Sequence, residues 1–455
     1  MSKSHPLRAA VVVTSAAAML LTGCAPGGGP QNKADREIVT DPSQIPETTL
    51  TVLDPFVSKD LPSTKWFLEV QDAFMDLYPQ ITIKRETQSY DDIASTLRLR
   101  LSGTSVPDVV PPNQGWQGLG TLGGENGLLV NLDEYAEAYG WNEDLPDTVL
   151  AQHRVAQDGR TIGEGSLYGM PVNQGAIQMV HYNKRLLSDL GLEVPETFSE
   201  FQDVLAASKD AGQVPIAFSV QSGGGIAALL QLQNVLGGPA DIRDFVFSSS
   251  DIALDETGMP EAAATYQEWL TEGYFSTDAA GISPAEAMQR FVDGEALFLF
   301  FGTEGLPFAD GQDLSDFGAF VLPRDDDTPV GATGSSLQNF SIASHAKNPD
   351  AAALFLDFLA TEEVGELALK YGIMPMFGSY DPSSIPASLE EEYRSLETVN
   401  ASDGYIPYFD WATPTMLDTL RQSVDELAAA RIDAQEFVDR VQRNQAEFHA
   451  TREDE

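Results

Sequence analysis

The chain has 455 residues, beyond the roughly 250–300 at which a single hydrophobic core stops growing, so at least two lobes are expected. It carries 69 acidic against 26 basic residues, a formal charge of −43, with 42% hydrophobic residues. Such a surface repels phosphate backbones and excludes nucleic acid as a partner, while self-repulsion of this size is relieved by high salt. Cys24 is the only cysteine, which excludes an intrachain disulfide.

The first thirty residues bear on compartment. Lys3 and Arg8 precede an uncharged, mostly apolar run from Ala9 to Leu21, the length of a signal-peptide core and too short to span a bilayer. The run ends in Leu21-Thr22-Gly23-Cys24, which resembles the lipobox of bacterial lipoproteins. The resemblance implies a signal peptide over 1–23, diacylglycerol on Cys24, and a protein anchored by lipid to the outer face of the cell membrane. The segment 24–47, rich in Gly and Pro at its start, is predicted to be a flexible tether. No later run of apolar residues reaches membrane-spanning length.

Beyond Glu47, elements follow in order. Thr49–Leu53 is a predicted strand. Trp66, Phe67, Val70, Phe74 and Leu77 recur at helical spacing until Pro79. Ile81–Ile83 is the next strand, Ile93, Leu97 and Leu101 mark a helix ending near Gly103, and Pro107–Val110 opens a third strand. Gln178–Tyr182 and Val214–Val220 have strand character, with helices over Asn183–Leu190 and Thr197–Ala207. Ala287–Val292 and Ala296–Phe301 give helix, turn, strand. Asp350–Leu359, Met416–Ile432 and Ala434–Phe448 complete the chain as helices. Strands alternating with helices predict an α/β fold with mostly parallel sheet.

Several stretches in this order resemble the family 1 extracellular solute-binding proteins, the group of the maltose-binding protein. They are Pro107-Asp108-Val109-Val110, Gly127-Leu128-Leu129-Val130-Asn131-Leu132-Asp133, Leu167-Tyr168-Gly169-Met170-Pro171 with Tyr182-Asn183-Lys184, Phe291-Val292-Asp293-Gly294-Glu295-Ala296, Ser341-Ile342 before the helix from Asp350, and Ala434-Gln435-Glu436 near the end. The resemblance runs from Leu50 to Phe448. It implies a two-lobed α/β fold of the type II periplasmic-binding class, with a ligand cleft between the lobes and hinge crossings. One lobe is then expected at 48–170 plus 282–332, the other at 171–281 plus 333–455. It further implies a monomeric binding protein, not an enzyme, that captures a carbohydrate without a cofactor and delivers it to ABC permease subunits.

Sugars need aromatic faces against their C–H side and planar polar groups for their hydroxyls. Carried over position by position, the resemblance places Asn113, Gln114 and Trp116 in a ligand loop of the first lobe, and Asp54 at the end of its first strand. Trp411, in Ile406-Pro407-Tyr408-Phe409-Asp410-Trp411, matches a family tryptophan that stacks on sugar. Ser222, beside the Gly223–Gly225 run, falls in another cleft loop. Where many relatives have Gly-x-Trp, this chain has Gly302-Thr303-Glu304. A stacking ring is replaced by a carboxylate, suited to sugar hydroxyls or to a cationic ligand such as a polyamine. A secreted glycosidase with two carboxylates is the rival class, since so acidic a chain offers many pairs; a sensor that hands its ligand to a membrane receptor is a third. Gly118-Leu119-Gly120-Thr121-Leu122-Gly123 fits GxGxxG without the strand-to-helix turn a dinucleotide needs, and His5, His153, His181, His345 and His449 show no metal-ligand spacing.

Overall fold

In a computed structural model, residues 38–453 are described, apart from 157–158, 174, 222–224, 249, 304–305, 307–313, 327, 337, 377 and 379. Cys24, Ser222 and Glu304 therefore lie outside the described residues, as do the signal segment and most of the expected tether. Thirteen strands are present among the described residues: β1 (48–54), β2 (81–87), β3 (109–110), β4 (154–155), β5 (166–167), β6 (170–171), β7 (175–183), β8 (214–217), β9 (296–302), β10 (317–320), β11 (332–336), β12 (339–342) and β13 (405–406).

Most form two open sheets. The first has the order β2-β1-β3-β12-β6; the second runs β13-β11-β7-β9-β8, with β10 also paired to β7. In the first sheet β1 pairs in parallel with both β2 and β3, while β12 runs antiparallel between β3 and β6. In the second, β8 and β9 are parallel, and β7 runs against β9, β10 and β11. β7 has eight of nine residues buried, because layers cover both faces.

Local chemistry explains the helices. Pro62 opens the helix Pro62–Leu77, which buries Trp66, Phe67, Val70 and Phe74. Ser89 caps the helix Tyr90–Leu101 by accepting from the Asp92 backbone N–H, and Arg98 and Arg100 sit in its last turn. Asn183 and Thr197 cap Lys184–Asp189 and Phe198–Asp210 in the same way. The predicted strand at Val214–Val220 stops at Ala217, and the predicted helix from Met416 ends at Ala428 rather than Ile432. Ala430 just beyond takes a positive φ of 52°, which breaks the helix.

The sheets correct the expected lobe boundaries. β9 and β10 hydrogen-bond to β7, so 282–332 belongs with the second sheet and not with 48–170. β12 lies inside the first sheet, and the helices Pro349–Leu359 and Glu362–Lys370 behind it pack on Pro62–Leu77. Phe67 stacks on Phe340 of β12 with centroids 5.6 Å apart, joining the early helix to this late strand. The tether also ends sooner than Glu47: Asp41 caps a turn at Pro42–Gln44, and Ile45 is buried in the first lobe's core.

The chain crosses between lobes at 171–175, at 336–339 and between 376 and 405. Asn173 ties the first crossing to the third. Its side-chain oxygen accepts from the Met376 backbone N–H at 3.0 Å, and its amide donates to the Thr361 carbonyl at 3.1 Å and to the Tyr380 hydroxyl at 3.0 Å.

Candidate functional site

The two lobes meet at a seam made by the loop after β3 and the short turn Phe409–Ala412. On the first-lobe side, the Asn113 amide donates to Gln117 Oε1 at 2.6 Å, while its oxygen accepts from the Gln114 backbone N–H at 3.0 Å. Gln114 reaches β11 of the second sheet, just before the second crossing, where its Nε2 donates to Ser335 Oγ at 3.2 Å. Gln117 reaches across the seam: its Nε2 donates to the Asp410 carbonyl at 2.7 Å and to Asp410 Oδ2 at 2.9 Å.

Trp411 lies 3% exposed in this seam, 5.4 Å from the Tyr408 ring. Gly115 faces it with φ +63°, and a Cβ added there would sit 2.2 Å from Trp411 Cβ. Only glycine allows both that backbone turn and that approach. The Tyr408 hydroxyl donates to the Ala176 carbonyl at 3.0 Å and accepts from Gln178 Nε2 at 3.1 Å, which anchors the turn to β7.

The seam is electrostatically uneven. Burial pushes Asp410 up to about 6, opposed by the Gln117 hydrogen bond and by the Arg421 guanidinium. Arg421 itself has a buried Nε with no hydrogen-bond partner. Tyr90, at the start of its helix, leaves 40% of its surface exposed, yet burial and then the Asp410 charge hold its phenol well above the usual range. On the same lobe as Arg421, the Tyr266 hydroxyl and Asp425 Oδ1 are also buried without partners. Buried polar atoms of this kind cost free energy unless something satisfies them.

A second opening of about 170 Å³ lies between the lobes, with Pro62, Tyr371 and Gly372 on one side and His181, Leu306, Leu389 and Glu392 on the other. The His181 ring is buried, its Nε2 has no partner, and burial pushes it down to about 4.

The structure thus brings Asn113, Gln114 and Trp411 together. Two predicted residues are corrected. Trp116 is fully buried: Gly120 fits beneath its ring, Phe448 packs at 5.4 Å, and the Arg452 guanidinium stacks at 4.1 Å, which leaves no face for a ligand. Asp54 is also fully buried, chelated by Arg85 through two hydrogen bonds of 2.6 Å and capping the Phe56 N–H at 2.9 Å, so its acceptors are spent inside the lobe. Gln117, Asp410, Arg421 and Tyr90 were missed. Asp410 stands next to Trp411 in a stretch already singled out, but nothing in its neighbours separates a buried carboxylate from an exposed one. Two glycines of GxGxxG make room for rings, Gly120 for Trp116 and Gly123 for Tyr168, while Gly118 makes room for the Asn113 backbone. Among the described residues no cluster of three His, Cys, Asp or Glu is placed to hold a metal ion, and no helix is long and apolar enough to cross a membrane.

The family profile described as bacterial extracellular solute-binding protein matches residues 58–366. The chain belongs to that family. Its fold matches too: a chitin oligosaccharide binding protein superposes with a TM-score of 0.73 at 20% identity, covering 88% of this solute-binding protein and 99% of that chain. A family 1 extracellular solute-binding protein from Bifidobacterium longum subsp. infantis superposes at 0.66, with 20% identity and coverage of 88% and 99%. These likenesses show the two-lobed fold. By sequence, the multiple sugar-binding protein of Streptococcus mutans is 23% identical over 291 residues, 62% of this chain and 65% of the relative. The galactooligosaccharide-binding protein of Bacillus subtilis is 23% identical over 207 residues, 43% and 46%. The match thus spans less than two thirds of either curated relative's length.

Proposed function

We propose that this solute-binding protein captures a carbohydrate between its lobes, outside the cytoplasm, and delivers it to the permease of an ABC importer, held at the membrane by lipid on Cys24. The observation that carries the reading is the seam itself. Amides from one lobe (Asn113, Gln117) and a carboxylate, an indole and an unpaired guanidinium from the other (Asp410, Trp411, Arg421) converge there. That is the mixture of planar polar groups and an aromatic face which a sugar's hydroxyls and C–H side require. The names of the relatives, which bind multiple sugars, galactooligosaccharides and chitin oligosaccharides, support the ligand class. All are named as binding proteins, which supports capture without chemical turnover.

Capture works by hinge closure. Ligand hydroxyls replace the direct Gln117–Asp410 bond and satisfy Arg421, while the Trp411 ring takes the apolar sugar face. Ser222 and Glu304 remain proposed contributors from neighbouring loops. The test is a thermal-shift screen of the purified protein against mono- and oligosaccharides, with polyols and polyamines as controls. A ligand at 100 times its dissociation constant stabilises by about 2.7 kcal/mol, a visible shift. The reading expects an oligosaccharide to raise Tm, and Trp411→Ala to abolish the shift while the protein stays folded. A response to polyamines alone would replace the ligand class.

A further inference from the structure

We infer that the last turn of the C-terminal helix Ala434–Glu453 is a latch that holds the lobes together from outside the ligand seam. The inference rests on the reading of the lobes as hinged jaws. Most of this helix belongs to the second lobe, where Phe437 and Val441 are fully buried in its core. Its end leaves that core and docks on the first lobe. The Phe448 ring meets Trp116 at 5.4 Å, and the Arg452 guanidinium lies 4.1 Å over Trp116 and 5.2 Å over Phe448. Arg452 Nη2 also donates to the Gly159 carbonyl at 2.6 Å.

Phe247, at the end of the second-lobe helix Pro239–Phe247, joins the same contact. It packs into the first-lobe cluster of Leu53, Val110 and Trp116. Gly163 accommodates it with φ +91°; a Cβ there would lie 2.5 Å from Phe247 Cδ2. Opening the jaws strips this contact. Trp116 returns to water, the half-buried cation–π stack is lost, and the Arg452 hydrogen bond breaks. Trp116 belongs to the seam loop, but Phe247, Phe448 and Arg452 make no bond to Gln117 or Asp410, so the latch biases closure from the side of the seam away from ligand. Its effect on affinity is then indirect: a protein less often closed binds more weakly in proportion.

The test reads lobe separation by small-angle scattering from the Cys24→Ser protein with no ligand added, and fold integrity by circular dichroism and Tm. Three variants are compared with the parent. Arg452→Gln removes the stacked cation, Phe448→Ala removes the ring, and Gly115→Val drives a wedge against Trp411 to force the jaws apart. Arg452→Gln is expected to lower the closed-to-open ratio about tenfold, as loss of a half-buried cation–π contact and one hydrogen bond implies, raising the radius of gyration toward the wedge value. Phe448→Ala goes further in the same direction; if it fails to fold, Arg452→Gln alone decides. The latch is overturned if the wedge expands the protein while folded Arg452→Gln matches the parent. If the wedge variant folds and stays as compact as the parent, the jaws do not part, and the hinge reading fails with the latch.

Discussion

Burial pushes Asp410 up to about 6 from the ordinary carboxylate range, even with the Gln117 amide and Arg421 guanidinium pulling the other way. The folded protein therefore holds this proton more tightly than the unfolded chain does. The group's contribution is favourable below the unfolded pKa and is lost as pH rises through about 6. Asp410→Asn keeps an oxygen for Gln117 and removes the buried charge, so it is expected to stabilise by about 3 kcal/mol at pH 8 and by less at pH 5. Thermal melts at the two pH values check this; an equal change at both would refute the sign. At this scale the sequence was partly legible. Trp411, Asn113 and Gln114 sit in stretches whose motifs mark them. Trp116 did not reveal its fate because the groups that cover it, Phe448 and Arg452, lie more than 300 residues away in the chain. Asp54 was misread for a related reason: its partner Arg85 is on the neighbouring strand, and register alone brings them together.

Elements read more clearly than residues, since helical spacing and capping chemistry are local. The helix at Pro62–Leu77 and the capped turns at Ser89, Asn183 and Thr197 appear where the apolar pattern places them. Which sheet a strand joins is not local. β9 follows a helix and pairs in parallel with β8, while β12 slots between β3 and β6, and neither choice leaves a mark in the strand's own residues. The crossings depend on such non-local bonds. Asn173→Ala is expected to destabilise by about 2 kcal/mol, because the buried Met376 N–H loses its acceptor and the tie to Thr361 and Tyr380 goes with it. Chemical denaturation measures the loss, and an unchanged midpoint would remove Asn173 from the hinge.

At the scale of the whole molecule, a charge of −43 opposes compaction, and the ion pairs among the described residues are mostly exposed or half-exposed. Exposed pairs contribute little, so net repulsion dominates the salt response. Tm is expected to rise between low salt and on the order of 1 M sodium chloride, where the screening length is about 3 Å. A flat or falling Tm would show that the acidic surface is already balanced. The place of β12 has another consequence, for the order of events in folding. This strand lies inside the first sheet, between β3 and β6, yet is synthesised after nearly all of the second sheet. A nascent chain ending before residue 339 holds β3 and β6 with no strand between them and two unpaired edges. The N-terminal lobe therefore cannot finish first, contrary to the usual order for successive domains. Pairings so distant along the chain form slowly. A polypeptide that stays unfinished until its last quarter emerges remains threadable through a translocation channel for most of its synthesis, which is the condition export of an unfolded chain demands.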